Sequence, residues 1–154
     1  MSGTVRWGRR TAALVLVAAV ASVTAFSASA SVTGGATVKV RATSLGRIVV
    51  NVQGRSLYLF ERDRNDKSSC YGECAKFWPP LLTRGEPVAG AGVKAKLLGV
   101  TRRKNGTRQV TYAGHPLYRY ISDATAGQTT GEGSTLFGAG WDVVAPSGKK
   151  IESD

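Results

Sequence analysis

The stretch Leu57-Tyr58-Leu59-Phe60-Glu61-Arg62-Asp63 returns sixty residues later as Leu117-Tyr118-Arg119-Tyr120-Ile121-Ser122-Asp123. The match extends upstream in the same register, over residues 45–63 and 105–123. Gly46 aligns with Gly106, Gly54 with Gly114, Leu57 with Leu117, Tyr58 with Tyr118, Phe60 with Tyr120 and Asp63 with Asp123. A tryptophan follows each copy, Trp78 after the first and Trp141 after the second. So many matches in one register mark an internal duplication. Two copies are too few to stack as an open solenoid, so they are expected to pack as two halves of one domain.

Alternation sets the local structure. Ile48, Val50 and Val52 alternate with Arg47, Val49 and Asn51, which predicts a strand with the first set facing inward. Gly54 turns the chain, and Leu57 to Phe60 continue as a second strand. In the second copy Val110 and Tyr112 face inward, Gly114 turns the chain, and Tyr118 and Tyr120 lie on the next strand. Successive strand residues point opposite ways, so Tyr58 and Phe60 share a face, as do Tyr118 and Tyr120. The other face mixes Leu57, Leu59 and Leu117 with Arg55, Glu61 and Arg119. The aromatic face is therefore the candidate core, with Trp78 and Trp141 each capping one end of it. Asn105-Gly106 is the favoured dipeptide for a two-residue hairpin turn, here joining residues 97–104 to 107–113. Residues 38–42 and 141–145 read as flanking strands, and the glycine-rich segments 83–93 and 124–140 as loops. Residues 71–77 give at most one helical turn before Trp78-Pro79-Pro80 stops it. The expected fold is all-β, a small loop-rich domain of two pseudo-repeated β-hairpin units packed around one aromatic core.

The first thirty residues read as a secretory signal. Arg6, Arg9 and Arg10 precede an unbroken apolar run over residues 12–21, too short for a membrane span, and Ala28-Ser29-Ala30 offers a cleavage site. The organisation expected is a signal over 1–30, a lead-in strand over 31–43, the duplicated domain over 44–146 (repeats about 45–82 and 105–146) and a tail over 147–154. The only cysteines are Cys70 and Cys74, so no cysteine stands at the cleavage site to take a lipid. The protein is thus expected outside the cytoplasm without a stable membrane anchor. Residues 1–30 hold three of the 21 basic residues and none of the 10 acidic ones, leaving a net charge of +8 on the remainder. That surface suits an anionic envelope polymer or lipid headgroups, and equally serves solubility; the partner expected is an anionic envelope polymer or a small ligand. Aromatic residues do not interleave with Lys and Arg as in single-strand nucleic-acid binders, so nucleic acid is not an expected partner.

With these residues in view, the two Tyr-x-aromatic-x-x-Asp strings resemble the motif of bacterial secreted-repeat proteins and predicted lipoproteins. Cys70-Tyr71-Gly72-Glu73-Cys74-Ala75, Trp78-Pro79-Pro80-Leu81 and Gly114-His115-Pro116-Leu117-Tyr118 are similar to that family as well. The resemblance implies export and a duplicated motif, with no agreed activity. Many members carry a lipid-accepting cysteine, which this chain lacks at the expected place.

The candidate site residues are Tyr58, Phe60, Asp63, Tyr118, Tyr120 and Asp123, which either bind a ligand or hold the strand ends through carboxylate hydrogen bonds. Cys70 and Cys74, with three residues between them and in an oxidising compartment, are expected to form a disulfide, with a redox-active pair as the alternative. No Cys-x-x-Cys-His exists for a c-type haem, and zinc would need ligands beyond this pair. His115, the sole histidine, is expected to be exposed, or to join Asp123 or Glu132 around a metal. No catalytic constellation, metal or cofactor is expected. The function expected is non-enzymatic binding or an envelope-structural role, and the alternative is a redox or metal-handling protein.

Overall fold

Two hairpins begin the two halves. In the computed structural model, which describes residues 1–4 and 34–152, the chain divides into a unit of residues 1–31 and a unit of residues 32–154. The signal expected over residues 1–30 lies, apart from residues 1–4, outside the described residues. In the second unit, β1 (Thr37–Thr43) pairs antiparallel with β2 (Gly46–Asn51). In the second half, β5 (Leu98–Arg102) pairs antiparallel with β6 (Arg108–Tyr112). Each hairpin runs on into a motif. β3 (Tyr58–Phe60) carries the first and pairs with β8 (Trp141–Val143), while β7 (His115–Pro116) folds back on β6 just before the second. The only α-helical element among the described residues is α1 (Glu73–Phe77), which ends at Trp78 as expected from the two prolines that follow.

The duplication is not a rigid copy. The hairpin at Asn105-Gly106 has a three-residue turn, not two: Arg103 N–H bonds to Thr107 O across Lys104, Asn105 and Gly106. A two-residue turn of the expected type needs positive φ at both central residues, and here Gly106 (φ 84°) has it while Asn105 does not. The extra residue shifts β6 by one place. Leu57 N–H bonds to Val49 O (3.1 Å), but Leu117 N–H bonds to Val110 O (2.9 Å), not to the residue sixty after Val49. The next turn restores the register, because Ala113 (φ 50°) and Gly114 (φ 81°) make a two-residue turn where the first half uses Val52, Gln53 and Gly54. Val52 therefore sits in a turn and is 53% exposed, not inward as the alternation predicted.

Both faces of the motif strands are buried. Ile48, Val50, Tyr58, Phe60, Trp78, Tyr118, Trp141 and Val143 form one cluster, which is the predicted aromatic core. The face read as mixed forms a second cluster: Leu57, Leu59 and Leu117 pack with Val38, Val49, Val110, Tyr112 and Val144. The mixed composition misled because Arg55, Glu61 and Arg119 lie where that face meets a surface cleft. Segment 83–93 is not wholly loop, since β4 (Val88–Ala89) runs parallel beside β1. The tail also has structure: Lys150 bridges to Val144, and Ile151 N–H bonds to Val143 O (2.9 Å).

Candidate functional site

Tyr58 and Tyr118 meet across the junction of the halves. Tyr58 N–H bonds to Tyr118 O (2.8 Å) and Tyr118 N–H to Tyr58 O (3.0 Å), the reciprocal exchange of an antiparallel pair. Their side chains then cross over. Tyr58 donates its hydroxyl to Asp123 Oδ2 (2.6 Å), and Tyr118 donates to Asp63 Oδ2 (2.7 Å). Each carboxylate therefore serves the tyrosine of the other repeat. The second oxygen is used locally. Asp63 Oδ1 accepts from the N–H and hydroxyl of Ser69 (both 2.8 Å), and Asp123 Oδ1 from those of Thr130 (2.9 and 2.6 Å). Burial, reinforced by the neighbouring aspartates, pushes both tyrosine hydroxyls far above the ordinary phenol range, so they stay protonated donors. Burial also raises Asp63 above its usual value, opposed by its bonds from Tyr118 and Ser69 and by the charge of Arg103.

The aromatic residues form a continuous stack. Tyr120 lies on Trp78 (centroids 4.3 Å), Trp78 on Trp141 (4.0 Å, 3° between planes) and Trp141 on Phe60 (4.0 Å). Tyr58 meets Trp78 edge-on at 5.2 Å, and Tyr118 meets Trp141 edge-on at 5.1 Å. Rings from the two repeats thus alternate along the stack. The tryptophans do not cap opposite ends of the core; they are its centre, because the halves close face to face and bring the second ring of each onto the other. Such contacts add about 0.5–1.5 kcal/mol per ring pair beyond burial.

Cys70 and Cys74 form a disulfide with Cα atoms 5.3 Å apart, both residues buried. Ser68, just ahead of this closed loop, and the Cys70 carbonyl face Arg103, a residue the sequence reading passed over. Arg103 is 4% exposed and donates to Ser68 Oγ (2.8 Å), Gln109 Oε1 (2.7 Å) and Cys70 O (2.7 Å), with Tyr71 over its guanidinium at 4.4 Å. Tyr118 reaches the same Ser68 hydroxyl (2.7 Å), which links this network to the Asp63 pair.

Two surface clefts flank the stack. The larger, about 680 Å³, is lined by Arg55, Arg119, Tyr120, Ile121 and Asp123, with Asn51, Gln53 and residues 79–82 as its other wall. The smaller, about 250 Å³, is lined by His115, Leu59, Phe60, Glu61 and Asp63, with Arg64 and Lys150. The first five residues of each set are sixty apart, so these are the same cleft built twice. Their contents differ. Arg55 is held by its bond to the Asp123 carbonyl, and Arg119 makes no side-chain hydrogen bond or ion pair among the described residues. Leu82 and Ile121 are 47% and 62% exposed. In the smaller cleft Lys150 pairs with Glu61 at 2.7 Å, which lowers the Glu61 carboxyl below its usual range. His115, half-buried, lines this cleft with Glu61 and Asp63, while Asp123 lines the larger one. Among the described residues no group of three His, Cys, Asp or Glu side chains could hold a metal ion.

Fold and clefts together define a duplicated all-β domain closed by exchanged tyrosine–aspartate pairs, with one cleft wide and its twin partly occupied by Lys150 of the tail. Residues 39–82 and 99–145 each match the model of a family described as a secreted repeat of unknown function, and the chain belongs to that family. No curated protein and no solved structure matches the chain. No helix among the described residues is long and apolar enough to cross a membrane.

Proposed function

We propose that this chain is a non-enzymatic extracytoplasmic binding domain whose larger cleft takes an anionic ligand. The observation that carries this reading is the contrast between the twins. One is narrowed to about 250 Å³ and has its acidic wall neutralised by the chain's own Lys150 on Glu61, and the other is wider, about 680 Å³, with two guanidinium groups on its wall. Arg55 is pre-positioned by its bond to Asp123, and Arg119 is free to turn toward a carboxylate or phosphate, a geometry arginine serves well. Exposed Leu82, Ile121 and the edge of Tyr120 supply apolar contact beside those charges. The motif carboxylates are committed to the fold, and Tyr120 and Asp123 contribute to the site as wall and anchor. Redox chemistry at Cys70 and Cys74 draws less support, since both are joined and buried. The same pairing leaves neither thiol for a lipid, which supports release from the membrane, with retention by charge alone.

Titration of a labelled polyphosphate chain tests the charge class. The wild type should bind saturably and more weakly as salt rises, and Arg119→Glu should weaken binding by on the order of tenfold. Equal binding by both proteins would refute the assignment of the cleft.

A further inference from the structure

The occupied twin also displays how an extended chain sits in this cleft. In the second half the tail adds to the outer edge of β8 by two backbone bonds: Ile151 N–H to Val143 O (2.9 Å) and Ala145 N–H to Lys149 O (2.8 Å). The equivalent edge in the first half is residues 80–82. Pro80 faces Tyr118 as Val143 faces Tyr58, and Leu81 O accepts from Val110 as Val144 O accepts from Val49. The groups matching the two that the tail uses are therefore the Pro80 carbonyl and the Leu82 N–H. Neither has a partner among the described residues.

An unpaired backbone edge is a template for an added strand. Proline on such an edge ordinarily blunts it. Here it removes nothing the tail's mode of pairing uses, because the Val143 N–H bonds to Glu132 Oε2 and not to the tail. Charge then selects the occupant. The tail brings Lys150 to a wall bearing Glu61, whereas the open edge faces Arg55 and Arg119. A second copy's tail laid there in the register of the first would set Lys150 against like charge. An acidic strand would not.

We propose that residues 80–82 receive an extended acidic peptide of a partner protein as an added antiparallel strand. The inference rests on the reading of the larger cleft as an anion site and names its ligand class. The probe is a labelled peptide of alternating glutamate and valine, measured by fluorescence anisotropy against the purified protein. It is compared with the same peptide N-methylated at alternate amides, in both phases, and with the polyphosphate chain. One methylated phase should bind about tenfold more weakly, the effect of losing a backbone bond to the added strand. Leu82→Pro, which deletes the free N–H and no internal bond, should weaken the peptide similarly. Equal affinity of unmodified and both methylated peptides would overturn strand addition while leaving the anion site standing. Polyphosphate binding without peptide binding would overturn the peptide class, and failure of both probes would overturn the cleft reading as well.

Discussion

Tyr58 should be energetically coupled to Asp123 and not to Asp63, the aspartate of its own motif. Tyr58→Phe removes one buried hydroxyl whose bond to Asp123 is 2.6 Å, and Asp123→Asn removes the charge that receives it. A buried hydrogen bond to a charged group contributes about 1.5–3 kcal/mol, so each single change should cost roughly that much. Thr130 would keep its bonds to the side-chain oxygen of the introduced amide, which limits the damage of the aspartate change to the crossed pair. The double variant should then cost less than the sum by about 1–2 kcal/mol, the coupling of two groups in direct contact. Tyr118 with Asp63 should behave alike, tempered because Tyr118 keeps a second partner in Ser68. Urea unfolding followed by tryptophan fluorescence measures all these free energies, since the Trp78–Trp141 stack is broken on unfolding. Same-repeat coupling of Tyr58 with Asp63 above about 0.5 kcal/mol, together with no coupling across the repeats, would refute the exchanged arrangement.

Gly131→Ala should cost about 1–3 kcal/mol by overpacking, because an added Cβ would stand 2.6 Å from Trp78 Cη2 and 3.0 Å from Tyr120 Cδ1; a neutral result in the same unfolding assay would show that the stack can yield. Arg103→Lys should cost about 2–4 kcal/mol, since an ammonium cannot reproduce the fork that holds Ser68, Gln109 and the Cys70 carbonyl, and stability within about 0.5 kcal/mol of wild type would refute that role. Asp142 is raised above its ordinary value by burial, with Lys150 opposing, and its Oδ2 has no hydrogen-bond partner. A raised carboxyl contributes most below the ordinary range and loses that contribution as pH rises through its folded value. Asp142→Asn should therefore raise the melting temperature at neutral pH by an increment that shrinks toward pH ~4, near the ordinary carboxylate value. A constant increment across that range would contradict the assignment.

The duplication, the strands and the aromatic face are visible in the sequence because identical spacing and period-two alternation are local signals. Partner choice between the copies is not. Tyr58 and Asp123 are 65 residues apart, and nothing in so short a motif distinguishes an aspartate that serves its own tyrosine from one that serves its twin. The second core escaped because Leu57, Leu59 and Leu117 share their face with charges that lie at a cleft. Arg103 reads as one of a run of basic residues, Arg102, Arg103 and Lys104, until Ser68, Cys70, Tyr71 and Gln109 are seen to gather on its guanidinium. The tail carries too few apolar residues to read as a strand. Only its pairing with β8 shows that it narrows one of two equivalent clefts, and that comparison is what singles out the other.

Amide chemical-shift mapping of the purified protein titrated with the glutamate–valine peptide tests the central claim most directly. Shifts should concentrate at Leu82, Arg119 and Ile121 in the open cleft, with Leu59, Glu61 and Lys150 in its occupied twin unmoved. Shifts at the twin alone, or evenly over the basic surface, would contradict the assignment of the open cleft as the binding site.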